Sequence, residues 1–155
     1  MKYSQLRSFD TSNGPGVRVS LFVSGCTLKC KGCFNPESWD FDAGNEFTQE
    51  TVEEIIRLLN QDYIEGFSLL GGDPLETQNI DVVTDLCRQV KAACPNKTIW
   101  LWTGRKYENF EGHPIMQYLD TVVDGPYIEK FKIAEQGHYR GSSNQRVIPI
   151  HVGNN

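Results

Sequence analysis

Hydrophobic positions recur along this chain in two alternating periods, and their order predicts the architecture. Val17, Val19, Leu21 and Val23 alternate with Arg18, Ser20 and Phe22, and period two with β-branched residues predicts a strand. Over 48–61 the spacing changes: Val52, Ile55, Ile56 and Leu59 fall at i, i+3, i+4 and i+7, one buried stripe of a helix. Thr48 suits the N-cap of that helix, with Phe47 and Val52 placed to close a hydrophobic staple across it. A short apolar run, Gly66 to Leu70, predicts a second strand that stops at Gly71-Gly72-Asp73-Pro74. A second helix is expected over 79–93, with Val82, Val83, Leu86, Val90 and Ala93 inward and Pro95 just beyond. Thr98 to Thr103 predicts a third strand, ended by Gly104, and 113–119 a short helix. Thr121-Val122-Val123 predicts a fourth strand ending at Asp124-Gly125-Pro126, and 147–150 an edge strand. Residues 1–16 are polar and close in the Asn13-Gly14-Pro15-Gly16 turn signal.

Strand and helix therefore alternate, which predicts βα units around a mostly parallel sheet of about four or five strands. Ligand loops gather at the carboxyl ends of strands in such sheets. Here four polar or glycine-rich segments follow predicted strands: the cysteine loop after residue 23, Gly71-Gly72-Asp73, Thr103-Gly104 and Asp124-Gly125. They are expected to face one mouth. The 155 residues fit a single domain, 1–155, without linker-like composition shifts or repeats.

Composition narrows the partners. Fifteen basic against 20 acidic side chains give a net charge of −5, which argues against a nucleic-acid partner, since phosphate binding needs clustered Lys and Arg. No apolar run approaches the ~20 residues that span a bilayer, so no membrane partner is expected. The Leu21–Cys26 stretch resembles a lipoprotein cleavage site only faintly, because Arg18 and the Gly14-Pro15-Gly16 turn interrupt the apolar region it would need. Three of the five cysteines lie within eight residues. That suits a shared metal better than a disulfide framework and predicts a reducing, cytoplasmic setting.

Cys26, Cys30 and Cys33 form a C-x3-C-x2-C spacing. Structural zinc wants four ligands, yet only three cysteines cluster, and His113, His138 and His151 lie far along the chain. Ferredoxin-type clusters normally use four cysteines, and no fourth thiol is near. Three thiolates on a [4Fe–4S] cube leave one iron open to a small molecule. S-adenosylmethionine chelated there by its amino and carboxylate groups would set its sulfonium beside a one-electron donor. Zinc or buried structural cysteines are the competing accounts of the same residues. Cys87, on the apolar side of the second helix, and Cys94, before its terminating proline, fit structural thiols. Trp100 and Trp102 fit sheet-face residues.

The cysteine motif and its surroundings resemble the radical S-adenosylmethionine superfamily. Gly32 stands where that superfamily often has an aromatic, and Phe34 follows, as in glycyl-radical-enzyme activators. The resemblance implies a small, incomplete (βα) barrel with a mostly parallel curved sheet. It implies a cluster on Cys26, Cys30 and Cys33, and cofactor contacts from Gly32, Cys33 and Phe34, the backbone near the last two facing adenine. Gly71-Gly72-Asp73 resembles the superfamily's glycine-glycine-acid segment, whose backbone carbonyls would take the ligand's ammonium group, with Asp73 adding complementary charge. Thr103, Gly104 and Asp124, at later strand ends, are placed to reach its ribose or methionine part.

Taken with Asn13–Gly16, Trp102-Thr103-Gly104, Val123-Asp124-Gly125 and the polar run Arg140-Gly141-Ser142-Ser143-Asn144-Gln145, the motif order is similar to that of activating proteins of anaerobic ribonucleoside-triphosphate reductases. By itself that polar run reads as a solvated loop. The resemblance implies a glycyl-radical activase: a 5′-deoxyadenosyl radical takes hydrogen from a backbone glycine of the reductase. A low-potential donor such as flavodoxin would supply the electron, and no side chain need act as general acid or base. The alternatives are an activase of another glycyl radical enzyme such as pyruvate formate-lyase, a small-molecule radical enzyme, or a non-enzymatic iron–sulfur or zinc module.

Overall fold

The computed structural model describes residues 1–28, 39–133 and 139–150. Seven strands form one sheet in the order β3-β1-β2-β4-β5-β6-β7. They are β1 (Lys2–Asp10), β2 (Val17–Val23), β3 (Asn45–Glu46), β4 (Ile64–Gly71), β5 (Thr98–Trp102), β6 (Thr121–Asp124) and β7 (Arg146–Pro149). The central strands β2, β4, β5 and β6 are parallel, as the alternating pattern predicts. Antiparallel pairs border them, β1 with β2 and β3 on one side and β7 with β6 on the other. Seven strands replace the expected four or five. The additions are mainly at the amino-terminal margin.

β1 escapes sequence reading for a physical reason. Its pairing with β2 slips between Tyr3 and Gln5 and again between Arg7 and Asp10. Each slip resets the two-residue alternation, so no period survives along the strand. The turn that follows is as predicted, with Gly14 and Gly16 both at positive φ.

Helices α1 (Gln49–Leu59) and α2 (Ile80–Ala93) match the predicted spans closely, and Thr48 is the N-cap of α1, its amide donating to the Thr51 hydroxyl at 3.2 Å. Both pack on one sheet face. Val19, Leu21 and Val23 of β2, Phe67 and Leu69 of β4, Ile99 and Leu101 of β5 and Val122 of β6 meet Val52, Ile55 and Leu59 of α1 and Val83, Leu86 and Val90 of α2. Cys87 belongs to this core and is fully buried, and burial pushes its thiol pKa up. The predicted helix over 113–119 is a single 3-10 turn, Pro114–Gln117, with the His113 ring accepting from the Ile115 amide.

The other sheet face carries the alternate residues. Arg18 lies here, fully buried. Its guanidinium donates to the Ser68 hydroxyl at 2.8 Å and to the carbonyls of Pro15, Phe67 and Thr98 at 2.9–3.1 Å, and it sits over the Trp100 ring. Burial pulls its pKa down to about 10, so it stays charged at neutral pH. Trp100 and Trp102 lie side by side, the Tyr139 ring packs edge-on to Trp100, and the Trp102 indole donates to the Tyr139 carbonyl. No helix among the described residues is long and apolar enough to cross a membrane.

Candidate functional site

A cleft lies at the carboxyl ends of the parallel strands, on the sheet face opposite α1 and α2. Cys26 from the end of β2, Gly71, Gly72 and Asp73 from the end of β4, and Thr103 and Gly104 from the end of β5 line it together. Three of the four strand-end segments expected at one mouth therefore meet. The fourth does not join them. Asp124, almost fully buried, accepts from the Tyr107 amide at 2.7 Å and from Arg146 Nε at 3.0 Å, and it borders a neighbouring groove with Lys106, Glu108 and Arg146.

Cys26 is 8% exposed. Its amide donates to the Trp39 carbonyl at 3.2 Å, so the two ends of the cysteine loop are tied at this bond. Cys30 and Cys33, with Gly32 and Phe34, fall between those ends and lie outside the described residues. The Gly71-Gly72-Asp73 turn is pinned to the same region by backbone: the Gly72 amide donates to Val23 and the Asp73 amide to Gly25, both at 2.8 Å. Gly71 has φ +111, and a Cβ there would stand 2.5 Å from the Val23 carbonyl oxygen. Close approach of β4 to β2 accounts for this glycine.

Asp73 is fully buried and its carboxylate is held by four donors of the chain. It accepts from the Leu75 amide, the Thr103 hydroxyl, the Gly104 amide and Arg105 Nη1, each at 2.9 Å. Burial pushes its pKa up, and those donors pull against the shift. The sequence suggested charge complementarity toward a ligand; in the fold the carboxylate lines the cleft and joins the β4 and β5 loops. Thr103 is likewise engaged, donating to Asp73 and accepting from the Arg105 amide at 3.1 Å.

Sequence reading missed four residues here. Glu76 Oε2 accepts from the Thr27 amide at 2.6 Å and from its hydroxyl at 2.8 Å. Arg105 contacts both Asp73 and Glu76. Burial works against the Glu76 charge, but Thr27 and Arg105 outweigh it and its pKa lies below the ordinary glutamate value. Trp39 also lines the cleft. A charged residue three places after Gly-Gly-Asp was the one available signal; nothing local announced its partner 29 residues on.

The polar run 140–145 is only partly solvated. Ser142 is fully buried and its hydroxyl accepts from the Ile128 amide. The Gln145 side chain accepts from the Gly141 and Ser142 amides and donates to the Gly125 carbonyl, while Asn144 donates to the Pro126 carbonyl. Ser143 and Asn144 stay exposed, but the run packs down through Ser142 and Gln145, and Gly141 and Gln145 reach the cleft.

A family model described as a 4Fe-4S single cluster domain matches residues 12–148. The anaerobic ribonucleoside-triphosphate reductase-activating protein of Enterobacteria phage T4 is 44% identical to this chain over 95% of its length and 93% of the relative's. Proteins of the same name from Vibrio cholerae and Escherichia coli are 42% and 40% identical, over 94% and 95% of this chain and 96% and 97% of theirs. The chain belongs to the family of anaerobic ribonucleoside-triphosphate reductase-activating proteins.

The residues present fit the group that the matched 4Fe-4S domain implies. Cys26 is buried where the strand ends converge. Beside it, the Trp39 indole N–H is shielded from solvent and has no acceptor among the described residues. An orphaned buried donor costs about 1–3 kcal/mol, and an acceptor arriving with a bound cluster or carboxylate removes that cost. Membership of the activating-protein family thus meets a cleft lined by a buried cysteine, beside an indole donor that has no acceptor among the described residues.

Proposed function

We propose that this chain is a cytoplasmic glycyl-radical activase of the radical S-adenosylmethionine type, acting on an anaerobic ribonucleoside-triphosphate reductase. The observation that carries this reading is the identity of 40–44% with activating proteins across nearly the whole chain, joined to a cleft that begins at Cys26. Cys26, Cys30 and Cys33 would hold the [4Fe–4S] cluster. The Gly71 and Gly72 backbone would meet the amino acid part of S-adenosylmethionine, and Gly32, Cys33 and Phe34 its adenine. Asp73 and Thr103 act on the ligand through the loops they join, and Asp124 supports the groove beside the cleft. When bound, the cluster and S-adenosylmethionine would supply one-electron reductive cleavage to methionine and the hydrogen-abstracting power used on a backbone glycine of the reductase.

The residues of this chain bind, orient and exclude water, and no side chain moves a proton. The incomplete-barrel reading is supported by the parallel centre of the sheet and by margins that end in β3 and β7 rather than pairing with each other. An open margin would admit a protein segment to a cleft over which no helix lies among the described residues. A low-potential donor such as flavodoxin would supply the electron.

The test mixes the reduced, reconstituted protein with its reductase and S-adenosylmethionine without oxygen. A glycyl radical signal in electron paramagnetic resonance is expected. An intact cluster that releases 5′-deoxyadenosine but gives no glycyl signal rejects this partner.

A further inference from the structure

We propose that Arg105 and Glu76 form a latch that fixes the first turn of the cysteine loop to the two neighbouring strand-end loops, with Arg105 as the positioning residue for Cys26. The part concerning the cluster rests on the function proposed above; the latch itself does not.

Arg105 reaches all three loops from one guanidinium. Nη1 donates to Asp73 at 2.9 Å, and Nη2 lies 3.0 Å from Glu76 and 3.3 Å from the Thr27 hydroxyl. Glu76 completes the grip by taking both the amide and the hydroxyl of Thr27, the residue directly after Cys26. The Thr27 amide belongs to the planar Cys26–Thr27 peptide. Holding that plane restrains ψ of Cys26, and with it the backbone orientation from which the Cα–Cβ bond departs. On the other side, the Cys26 amide is held by the Trp39 carbonyl. Cys26 is therefore clamped from both flanking peptides, and Glu76 is the clamp on one of them.

Charge and burial fit positioning better than bulk stability. Asp73 and Glu76 are 0% and 4% exposed, and the Arg105 side chain is 21% exposed. Taking two carboxylates and one guanidinium out of water offsets much of their attraction, so buried ion pairs are weak sources of stability. Their geometry, in contrast, is specific: a planar fork meets two separate carboxylates, and each carboxylate is also tied to backbone amides of a different loop. Asn79 reinforces the same junction, donating to the carbonyls of Ser24 and Asp73 at 3.0 and 3.2 Å. Arg105 thus acts alongside these bonds and the Asp73 amide on the Gly25 carbonyl, and among the described residues it alone ties the residue after the first cysteine to both carboxylates.

The experiment uses the whole chain with Arg105→Gln, Arg105→Lys and the nearly isosteric Glu76→Gln. Hydrogen exchange on the metal-free proteins comes first. Losing a charge-assisted bond should speed exchange at the Thr27 amide at least about tenfold in Glu76→Gln. Arg105→Gln should speed the segments around residues 27, 73 and 104 together, while α1 and α2 stay as in the wild type. Arg105→Lys should recover part of the protection, since a point charge can serve one carboxylate but not both. Acceleration confined to residues 103–106 overturns the latch.

After anaerobic reconstitution, the reduced-cluster resonance spectrum of Arg105→Gln should be altered, and its response to S-adenosylmethionine weakened, even in the fraction that loads a full cluster. An unchanged spectrum in that fraction overturns the positioning of Cys26. If the wild-type protein loads no cluster or ignores S-adenosylmethionine, the proposed function fails, and the exchange data still decide the latch.

Discussion

Replacing Asp73 with Asn tests whether its charge serves the scaffold or a ligand. Asn has nearly the same shape, but one carboxylate oxygen becomes an amide group that donates. With its oxygen toward Gly104 and Arg105, the new amide faces the Leu75 N–H, which loses its acceptor. That orphaned donor costs about 1–3 kcal/mol, and the three surviving bonds each lose about 1 kcal/mol of charge assistance. Burial opposes the charge of the native carboxylate, which returns part of the loss. A net destabilisation of about 3 kcal/mol is expected, a large part of the roughly 5–15 kcal/mol typical of a domain. Urea unfolding of the metal-free protein reads it directly. With a slope of about 2 kcal/mol/M for a chain of this length, the midpoint should fall by about 1.5 M. A midpoint within about 0.2 M of the wild type, combined with much weaker S-adenosylmethionine binding, would refute the scaffold role and restore the ligand role that the sequence suggested.

Arg18→Met should cost about 3–5 kcal/mol by chemical denaturation, because three backbone carbonyls and the Ser68 hydroxyl lose a buried donor. Gly71→Ala combines a positive φ with a Cβ 2.5 Å from the Val23 carbonyl oxygen; a loss of at least about 2 kcal/mol, seen as a lowered thermal midpoint, is expected. The pKa of Glu76 is lower in the folded state than its ordinary 4.5. It therefore stabilises the fold above that value, and the contribution disappears as pH falls through the lower folded value. Glu76→Gln should flatten the stability–pH curve in that acid range and leave the neutral slope unchanged.

Much of the fold was legible because its signals are local. The stripe Val52-Ile55-Ile56-Leu59 and the alternation from Val17 to Val23 each carry their period within a dozen residues, and their elements lie where the patterns put them. β1 was not legible, since its pairing slips twice. The 140–145 run misled for another reason: polarity reports solvation only when the polar groups lack partners in the chain, and here Gln145 and Ser142 have them.

The sequence alone determined the chemistry available: three thiols at a fixed spacing, the strand that ends beside the first of them, and the glycine-rich turns after later strands. These follow from covalent order and short-range sterics. Tertiary structure decided where charges go, because a carboxylate's partner is whatever the folded chain brings within about 3 Å. Only the fold could turn Asp73 inward to Thr103 and Arg105, send Asp124 to Arg146, and join Thr27 to Glu76 across 49 residues.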